Sequence, residues 1–238
     1  MNHGPLGRFL ELALPASDLL ASWQCLRSLG FAEATTSDAR PRGYAVLGDG
    51  RCVLGLHAER DAPELVFVRP GMLAALDALA GSELGEREWH GGEGQLQEVR
   101  CEFPGGLALR LVEARTFSPL VPSGSPPLGW FREVMVPVMD AAAAAAHWES
   151  VGFVCLGEDS SPLPHRVLTG DGVNLGLYPP SLLPRTGLLF EHPDPPAVRP
   201  LLERAGLATN RPPSGASGTT LVFMLPGGTP VWVVADGA

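Results

Sequence analysis

The chain has 238 residues, a formal net charge of −9 and 45% hydrophobic residues, a composition that can form packed cores. The negative charge argues against nucleic acid and against anionic membrane surfaces as partners, because both require a basic face. No apolar run reaches the roughly 18 residues of a membrane span. Because the N-terminal segment also lacks the pattern of a signal peptide, we expect a cytoplasmic protein.

The first 60 residues predict one β-α-β-β-β unit. Apolar residues alternate at its start, helical spacing follows after Ser17-Asp18, and Gly30 ends the helix. A Gly-Asp-Gly turn then joins two short strands as a hairpin. The predicted elements are a strand at 9–15, a helix at 19–29 and strands at 32–36, 44–47 and 52–57.

A second unit of the same kind is predicted within residues 61–115. Its elements are a strand at 64–68, a short helix at 72–79, and strands at 96–103 and 107–113. The intervening segment 80–94 is polar and is predicted to be a loop. Residues 116–128 are rich in Pro, Ser and Gly, which is typical of a linker.

The second half of the chain repeats the first after about 122 residues. The segment Glu11–Asp18 returns as Glu133–Asp140, and the Pro-Gly-Gly turn at 104–106 returns at 226–228. Collinear matches at a nearly constant offset indicate a tandem duplication. We therefore predict two domains separated by the linker 116–128. The first is 5–115, with modules 5–60 and 61–115, and the second is 129–236, with modules 129–181 and 182–236.

Four paired modules, together with the strand-Pro-x-x-Asp-helix pattern at Leu14–Asp18 and Val136–Asp140, resemble the vicinal oxygen chelate superfamily. That superfamily includes glyoxalase I, bleomycin-resistance proteins, fosfomycin-resistance enzymes and extradiol dioxygenases. The resemblance covers nearly the whole chain. It implies an α+β fold in which four βαβββ modules form two tandem glyoxalase-like domains with curved mixed sheets.

In catalytic members of that superfamily, His, Glu or Gln residues on the first and last strands of the units hold a divalent metal. The resemblance places these positions at Glu11, Gly55, Glu64 and Arg110, and at Glu133, Gly176, about Gly187 and Trp232. A catalytic metal needs about three protein ligands and an open position. An arginine would repel the cation, and a tryptophan offers no lone pair. We therefore expect no cofactor, with a divalent metal as the disfavoured alternative.

Strand register groups several polar residues in the first predicted cavity. Arg110 would pair with Glu11 and Glu64, because one guanidinium and two carboxylates can satisfy buried charge. The cluster either ties the two modules together or also presents Arg110 to a ligand carboxylate or carbonyl. His57 faces the same cavity and, with Glu11, could form half of a non-standard metal site.

The second predicted cavity contains Glu133 without an obvious cation nearby in sequence. Burial would favour its neutral form and make it a candidate acid or base. Tyr178 and Trp232 share its face by register and would form an aromatic wall, as in many small-molecule sites. The alternative is that Trp232 fills space in a core.

The resemblance, together with the missing metal ligands, implies a glyoxalase- or bleomycin-resistance-like protein that binds a small molecule, aromatic or not, without metal. The candidate ligand-binding residues are Glu11, His57, Glu64, Arg110, Tyr178 and Trp232, with Glu133 as the candidate acid or base. The alternative is a metal-dependent lyase or dioxygenase of the same superfamily with non-standard ligands. A scaffold role is a third reading. Whether the chain is an enzyme stays open, and we expect a monomer or a homodimer.

Overall fold

The computed structural model describes residues 4–34, 43–79, 87–91, 97–113 and 126–236. The predicted linker at 116–128 therefore lies outside the described residues, apart from 126–128. Each half of the chain forms one mixed sheet of eight strands, accompanied by short helices. The predicted fold class, an α+β fold of βαβββ modules in tandem glyoxalase-like pairs, is confirmed.

The first half forms a sheet with the strand order β2-β3-β4-β1-β5-β8-β7-β6. Its elements are β1 (Arg8–Pro15), α1 (Leu19–Ser28), β2 (Ala32–Glu33), β3 (Tyr44–Gly48), β4 (Val53–His57), β5 (Glu64–Arg69), α2 (Met72–Ala78), β6 (Arg87–His90), β7 (Glu98–Glu102) and β8 (Ala108–Glu113). The strands β1 and β5 pair antiparallel at the centre, where the two modules meet.

The second half repeats this order as β10-β11-β12-β9-β13-β16-β15-β14. Its elements are β9 (Trp130–Pro137), α3 (Ala141–Ser150), β10 (Val154–Asp159), β11 (His165–Thr169), β12 (Asn174–Tyr178), β13 (Gly187–His192), a short 3-10 helix (Pro195–Val198), α4 (Arg199–Arg204), β14 (Thr209–Asn210), β15 (Leu221–Met224) and β16 (Pro230–Ala235). The central pair is again antiparallel, between β9 and β13.

Three strands differ from the sequence prediction. The loop predicted at 80–94 is wrong for Arg87–His90, which form β6 and pair with β7. The sequence pattern predicts neither β10 nor β14. All three strands lie at an edge of their sheet and expose most of their side chains. A strand without a buried face needs no alternation of apolar and polar residues, so the sequence pattern gives no signal.

The helices begin where their caps predict. The Asp18 carboxylate accepts from the backbone N–H of Ala21 at the start of α1, and Asp140 caps α3 in the same way. The alanine-rich α3 buries Ala144, Ala145 and Trp148. The small side chains of Ala144 and Ala145 leave room for the helix to pack against the sheet, and Trp148 fills the core beside them.

Alternation gives each sheet two different faces. Leu12 and Leu14 of β1 belong to the main core, which is shared by both halves. The opposite face carries Glu11 in the first sheet and Glu133 in the second, and we call it the site face. Because successive strand residues point to opposite faces, the polar site residues and the core residues interleave along the same strands.

The two halves pack against each other in a nearly two-fold arrangement. A Cβ added to Gly30 would collide with Pro127, and one added to Gly152 would collide with Pro5. The same reciprocity relates the pair Gly105 and Pro137 to the pair Gly227 and Pro15. Each residue and its counterpart are about 122 positions apart. Such a self-complementary contact is typical of two-fold dimers, here formed within one chain.

None of the helices in the described ranges is both long and apolar enough to cross a membrane.

Candidate functional site

The first site face contains a carboxylate bound to two aromatic groups. Glu11 of β1 is only 2% exposed; the Tyr44 hydroxyl donates to its Oε2 at 2.5 Å, and His57 Nε2 lies 2.9 Å from its Oε1. Tyr44 stands directly opposite His57 in the antiparallel ladder of β3 and β4, and their ring centroids are 4.5 Å apart. We call Glu11, Tyr44 and His57 the first triad.

The second site face repeats this arrangement with Glu133, His165 and Tyr178, the second triad. The Tyr178 hydroxyl donates to Glu133 Oε1 at 2.6 Å, and the His165 ring stacks on Tyr178 at 4.3 Å. His165 Nε2 lies 3.2 Å from Glu133 Oε1 but is not aligned for a hydrogen bond. Its Nδ1 is 2.7 Å from the Leu163 carbonyl oxygen.

The two triads also differ in the placement of the rings. In the antiparallel ladder of β11 and β12, Arg166 pairs with Leu177. The next pair of residues along the ladder is therefore His165 and Tyr178, which face each other. His165 therefore takes the position of Tyr44, and Tyr178 takes the position of His57. The duplication has kept a carboxylate, a phenol and an imidazole while the phenol and imidazole have changed places.

Two glycines make room for these carboxylates. A Cβ on Gly55 would lie 2.7 Å from Glu11 Oε2, and one on Gly176 would lie 2.7 Å from Glu133 Cδ and 2.6 Å from the Tyr178 ring. The resemblance implies that both positions are lost metal ligands. The structure supplies their local reason: the glutamate side chain of the neighbouring strand lies directly over each glycine.

A second polar group on the first site face is an arginine cluster formed by Arg60, Arg100, Arg110 and Glu64. Arg100 Nε donates to Glu64 Oε1 at 2.7 Å, and Arg110 Nε donates to Oε2 at 2.8 Å. Arg60 also forms an ion pair with Glu64. Three guanidinium groups, from β7, β8 and the segment that precedes β5, therefore surround one carboxylate that is 4% exposed.

The predicted pairing of Arg110 with both Glu11 and Glu64 requires correction. Arg110 binds Glu64 and Glu98, whereas Glu11 binds the first triad instead. The sheet register explains this, because Val66 of β5 stands between Glu11 and Arg110. One intervening strand separates the two residues by about 9–10 Å at their Cα atoms.

Several residues at these sites were missed from the sequence. They are Tyr44, Arg60, Glu98, Arg100 and His165. For Tyr44 a signal exists: counting back across the Gly-Asp-Gly hairpin places it opposite His57. The contacts of the arginine side chains depend on the order of β5, β8 and β7, which the sequence does not specify.

Burial shifts several of these titratable groups. It lowers the pKa of His57, although the hydrogen bond to Glu11 acts in the opposite direction. Burial, and then repulsion by Arg110, lowers the pKa of Arg60 to about 10. Burial, and then the charge of Glu133, raises the pKa of Tyr178 far above its ordinary value. His57 is therefore neutral near pH 7. The Tyr178 hydroxyl stays protonated and donates a hydrogen bond to Glu133.

The two site faces differ in access to solvent. In the first half the side chains of His57 and Arg100 are each 18% exposed. In the second half the side chains of His165 and Glu133 are 0% and 1% exposed. An apolar cluster covers this second face and includes Trp232. Its other buried members are Met135, Leu163, Tyr178, Leu183, Leu189, Val222 and Val234.

The donor groups present do not fit a resident divalent metal. Within the described ranges, no three His, Cys, Asp or Glu side chains come together as a metal site requires. In each triad the carboxylate already engages its aromatic neighbours. Across the sheet from these carboxylates stand Arg110 and Trp232, the first of which repels a cation while the second has no lone pair.

Comparisons with known proteins agree with the architecture. No family model matches the sequence, and no curated protein matches it. In structure the chain is similar to catechol 2,3-dioxygenase at 16% identity and a TM-score of 0.57, covering 96% of this chain and 92% of that chain. It is also similar to the 2,3-dioxygenase LapB from Pseudomonas sp. KL28, at 16% identity and 0.61, covering 97% and 92%.

A third similar structure is a triple mutant of 4-hydroxymandelate synthase from Streptomyces coelicolor, at 15% identity and a TM-score of 0.62, covering 98% of this chain and 93% of that chain. At such identities the likeness concerns the fold. The chain therefore has the tandem βαβββ fold that it shares with these two dioxygenases and with 4-hydroxymandelate synthase.

Proposed function

We propose that this chain is a metal-independent binding protein for a small molecule, of the glyoxalase and bleomycin-resistance kind. The ligand binds on the site face of the first half. One observation carries the proposal: the first triad and the arginine cluster are partly open to solvent, whereas the equivalent face of the second half is sealed. Small-molecule sites combine a few polar groups with apolar surroundings, as this face does.

The polar groups of the first site face define what the ligand meets. Glu11 already accepts from Tyr44 and His57, so the triad presents its aromatic ring faces rather than a free carboxylate. Ala13 and Val66 are buried beside these groups on the same face. The guanidinium groups of the arginine cluster supply hydrogen-bond donors. The face therefore suits a compact molecule with a flat apolar part and acceptor oxygens.

The second half has a structural role in this proposal. Trp232 packs among apolar side chains, which favours the interpretation that it fills a core rather than a binding wall. Tyr178 likewise hydrogen-bonds to Glu133 and stacks on His165. Neither residue lies open to a ligand.

A second candidate is a metal-independent enzyme with Glu133 as acid or base. The observation in its favour is that Glu133 Oε2 is buried without a hydrogen-bond partner among the described residues. Such an enzyme would need the apolar cover to open. A metal-dependent lyase or dioxygenase would need a donor set that the described residues do not offer.

The duplication provides a matched pair of variants for testing the proposal. A panel of small aromatic compounds is screened by the rise in melting temperature of the full chain. Binding compounds are then measured on His57→Gln and His165→Gln, each against its own ligand-free melting temperature. We expect the ligand-induced rise to be lost in His57→Gln and kept in His165→Gln. Loss only in His165→Gln would place the site in the second half and contradict the proposal.

A further inference from the structure

We propose that the ligand of the first site face carries a carboxylate or phosphate group and that Arg60 and Arg100 bind this group. The inference rests on the proposed function and names the class of its ligand. Its basis is the chemistry of the arginine cluster, which contains more hydrogen-bond donors than its inner carboxylate can accept.

Glu64 shows how this cluster holds an anion. Arg100 and Arg110 both donate to Glu64 Oε1, and Arg110 and Arg60 both contact Oε2. A carboxylate has about four acceptor sites, and a guanidinium has five N–H donors. Glu64 therefore accepts three hydrogen bonds, whereas Arg60 Nη1 forms only an ion pair with it and has no hydrogen-bond partner among the described residues. The arginines need additional acceptors because buried donors are seldom left unbonded.

Exposed carboxylates currently supply the additional acceptors. Arg100 Nη1 donates to Glu102 at 3.1 Å and lies 3.4 Å from Glu88; these two carboxylate side chains are 72% and 60% exposed. Exposed ion pairs stabilise a fold very little. A ligand anion can therefore replace these outer carboxylates at little cost, while Glu64 stays in place.

The geometry also favours one class of ligand over others. A planar guanidinium group binds a carboxylate or phosphate through two parallel N–H···O hydrogen bonds. The interaction therefore fixes the orientation of the anion as well as compensating its charge. All 17 basic residues of the chain are arginines, so anion recognition falls to this side chain. The second half has no equivalent cluster, because Gly187 and Trp232 occupy the positions of Glu64 and Arg110.

The test uses three probes on the full chain: benzoate, its neutral analogue benzamide, and inorganic phosphate, all at constant ionic strength. Isothermal titration calorimetry gives the Kd of each. We expect benzoate or phosphate to bind and benzamide to bind at least about tenfold more weakly, since charged hydrogen bonds of this kind account for about that factor. Equal binding of benzoate and benzamide would overturn the inference.

Two variants and a control locate the anion. Arg100→Gln should weaken anion binding about tenfold. Arg132→Gln is the matched control, because Arg132 is 17% exposed and pairs with two carboxylates in the second half. It should leave the Kd unchanged. Glu102→Gln, on an exposed side chain, should tighten binding by removing a competing carboxylate.

Each remaining outcome is decisive. An equal loss in Arg100→Gln and Arg132→Gln, or weaker binding in Glu102→Gln, would contradict the assigned anion site. If neither anion binds, the inference fails. The proposed function would still stand in that case if neutral compounds from the panel bind and depend on His57. If no compound depends on His57, the proposed function itself fails.

Discussion

Tyr44 and His165 occupy the same position in the two halves of the chain. Each faces its ring partner across an antiparallel strand pair, and each contacts the glutamate of the central strand. Tyr44 donates a hydrogen bond to Glu11, and His165 Nε2 lies 3.2 Å from Glu133 Oε1. Their partners, His57 and Tyr178, are exchanged in the same way. A carboxylate with one phenol and one imidazole therefore persists in both halves, which indicates that the local arrangement matters more than which strand carries which ring.

The glycines beneath the carboxylates should tolerate no side chain. In Gly176→Ala the new Cβ would press on Glu133 and on the Tyr178 ring in a fully buried place. Overpacking of this kind destabilises a fold by about 1–3 kcal/mol. We expect that loss in the free energy of unfolding, measured by urea denaturation. Gly218→Ala is the control, because its Cβ would meet nothing within 4 Å; equal effects would contradict this account.

Removing the tyrosine hydroxyls should distinguish the two triads. Tyr178→Phe takes away the buried donor that binds Glu133 at 2.6 Å, so we expect a loss of about 1.5–3 kcal/mol, typical for a hydrogen bond to a charged group. Tyr44→Phe should cost less, because Tyr44 is only partly buried. Chemical denaturation of both variants provides the comparison. A larger loss in the free energy of unfolding for Tyr44→Phe than for Tyr178→Phe would contradict the burial of the second triad.

The stability of the chain should depend on His57 at mildly acidic pH. Burial lowers its pKa, so the unfolded chain binds the proton first as the pH falls below about 6.5. The unfolded state then carries more protons, and stability falls from about pH 6.5 down to the lowered pKa. His57→Gln should reduce this slope in denaturation measured across that window. An unchanged slope would show that His57 does not titrate as described.

Glu64 should be essential for the arginine cluster. Glu64→Gln leaves three arginines around a neutral amide, and removal of one partner from a buried ion pair costs about 3–5 kcal/mol. Thermal and urea denaturation should show a loss near the lower end of that range. Glu102→Gln, on a mostly exposed side chain, serves as the control and should change stability by less than about 1 kcal/mol. Matching small losses would refute the structural role of Glu64.

The fold could be predicted because it repeats. The same signal occurs in both halves, as with the helix caps Asp18 and Asp140, so the prediction of a helix in one half supports its prediction in the other. The edge strand β10 escaped prediction because exposed strands carry no alternating pattern. At the site, Glu11 and Glu133 could be placed by alternation within a strand. The partners of Arg110 could not, because they depend on which strands lie side by side.

The sequence alone indicates Gly55 and Gly176 only as positions where a metal ligand is absent. Their positive role, space for a glutamate from the next strand, depends on the pairing of β1 with β4 and of β9 with β12. A glycine in a strand signals that something approaches closely, but the sequence does not say what.

Metal content tests the central claim most directly. The full chain is purified without a histidine tag and without chelator, and its bound Fe, Zn, Mn and Ni are measured by plasma mass spectrometry. The account predicts far less than one divalent metal per chain, because neither triad offers a free set of ligands. Near-stoichiometric metal that is lost in Glu11→Gln or Glu133→Gln would contradict it.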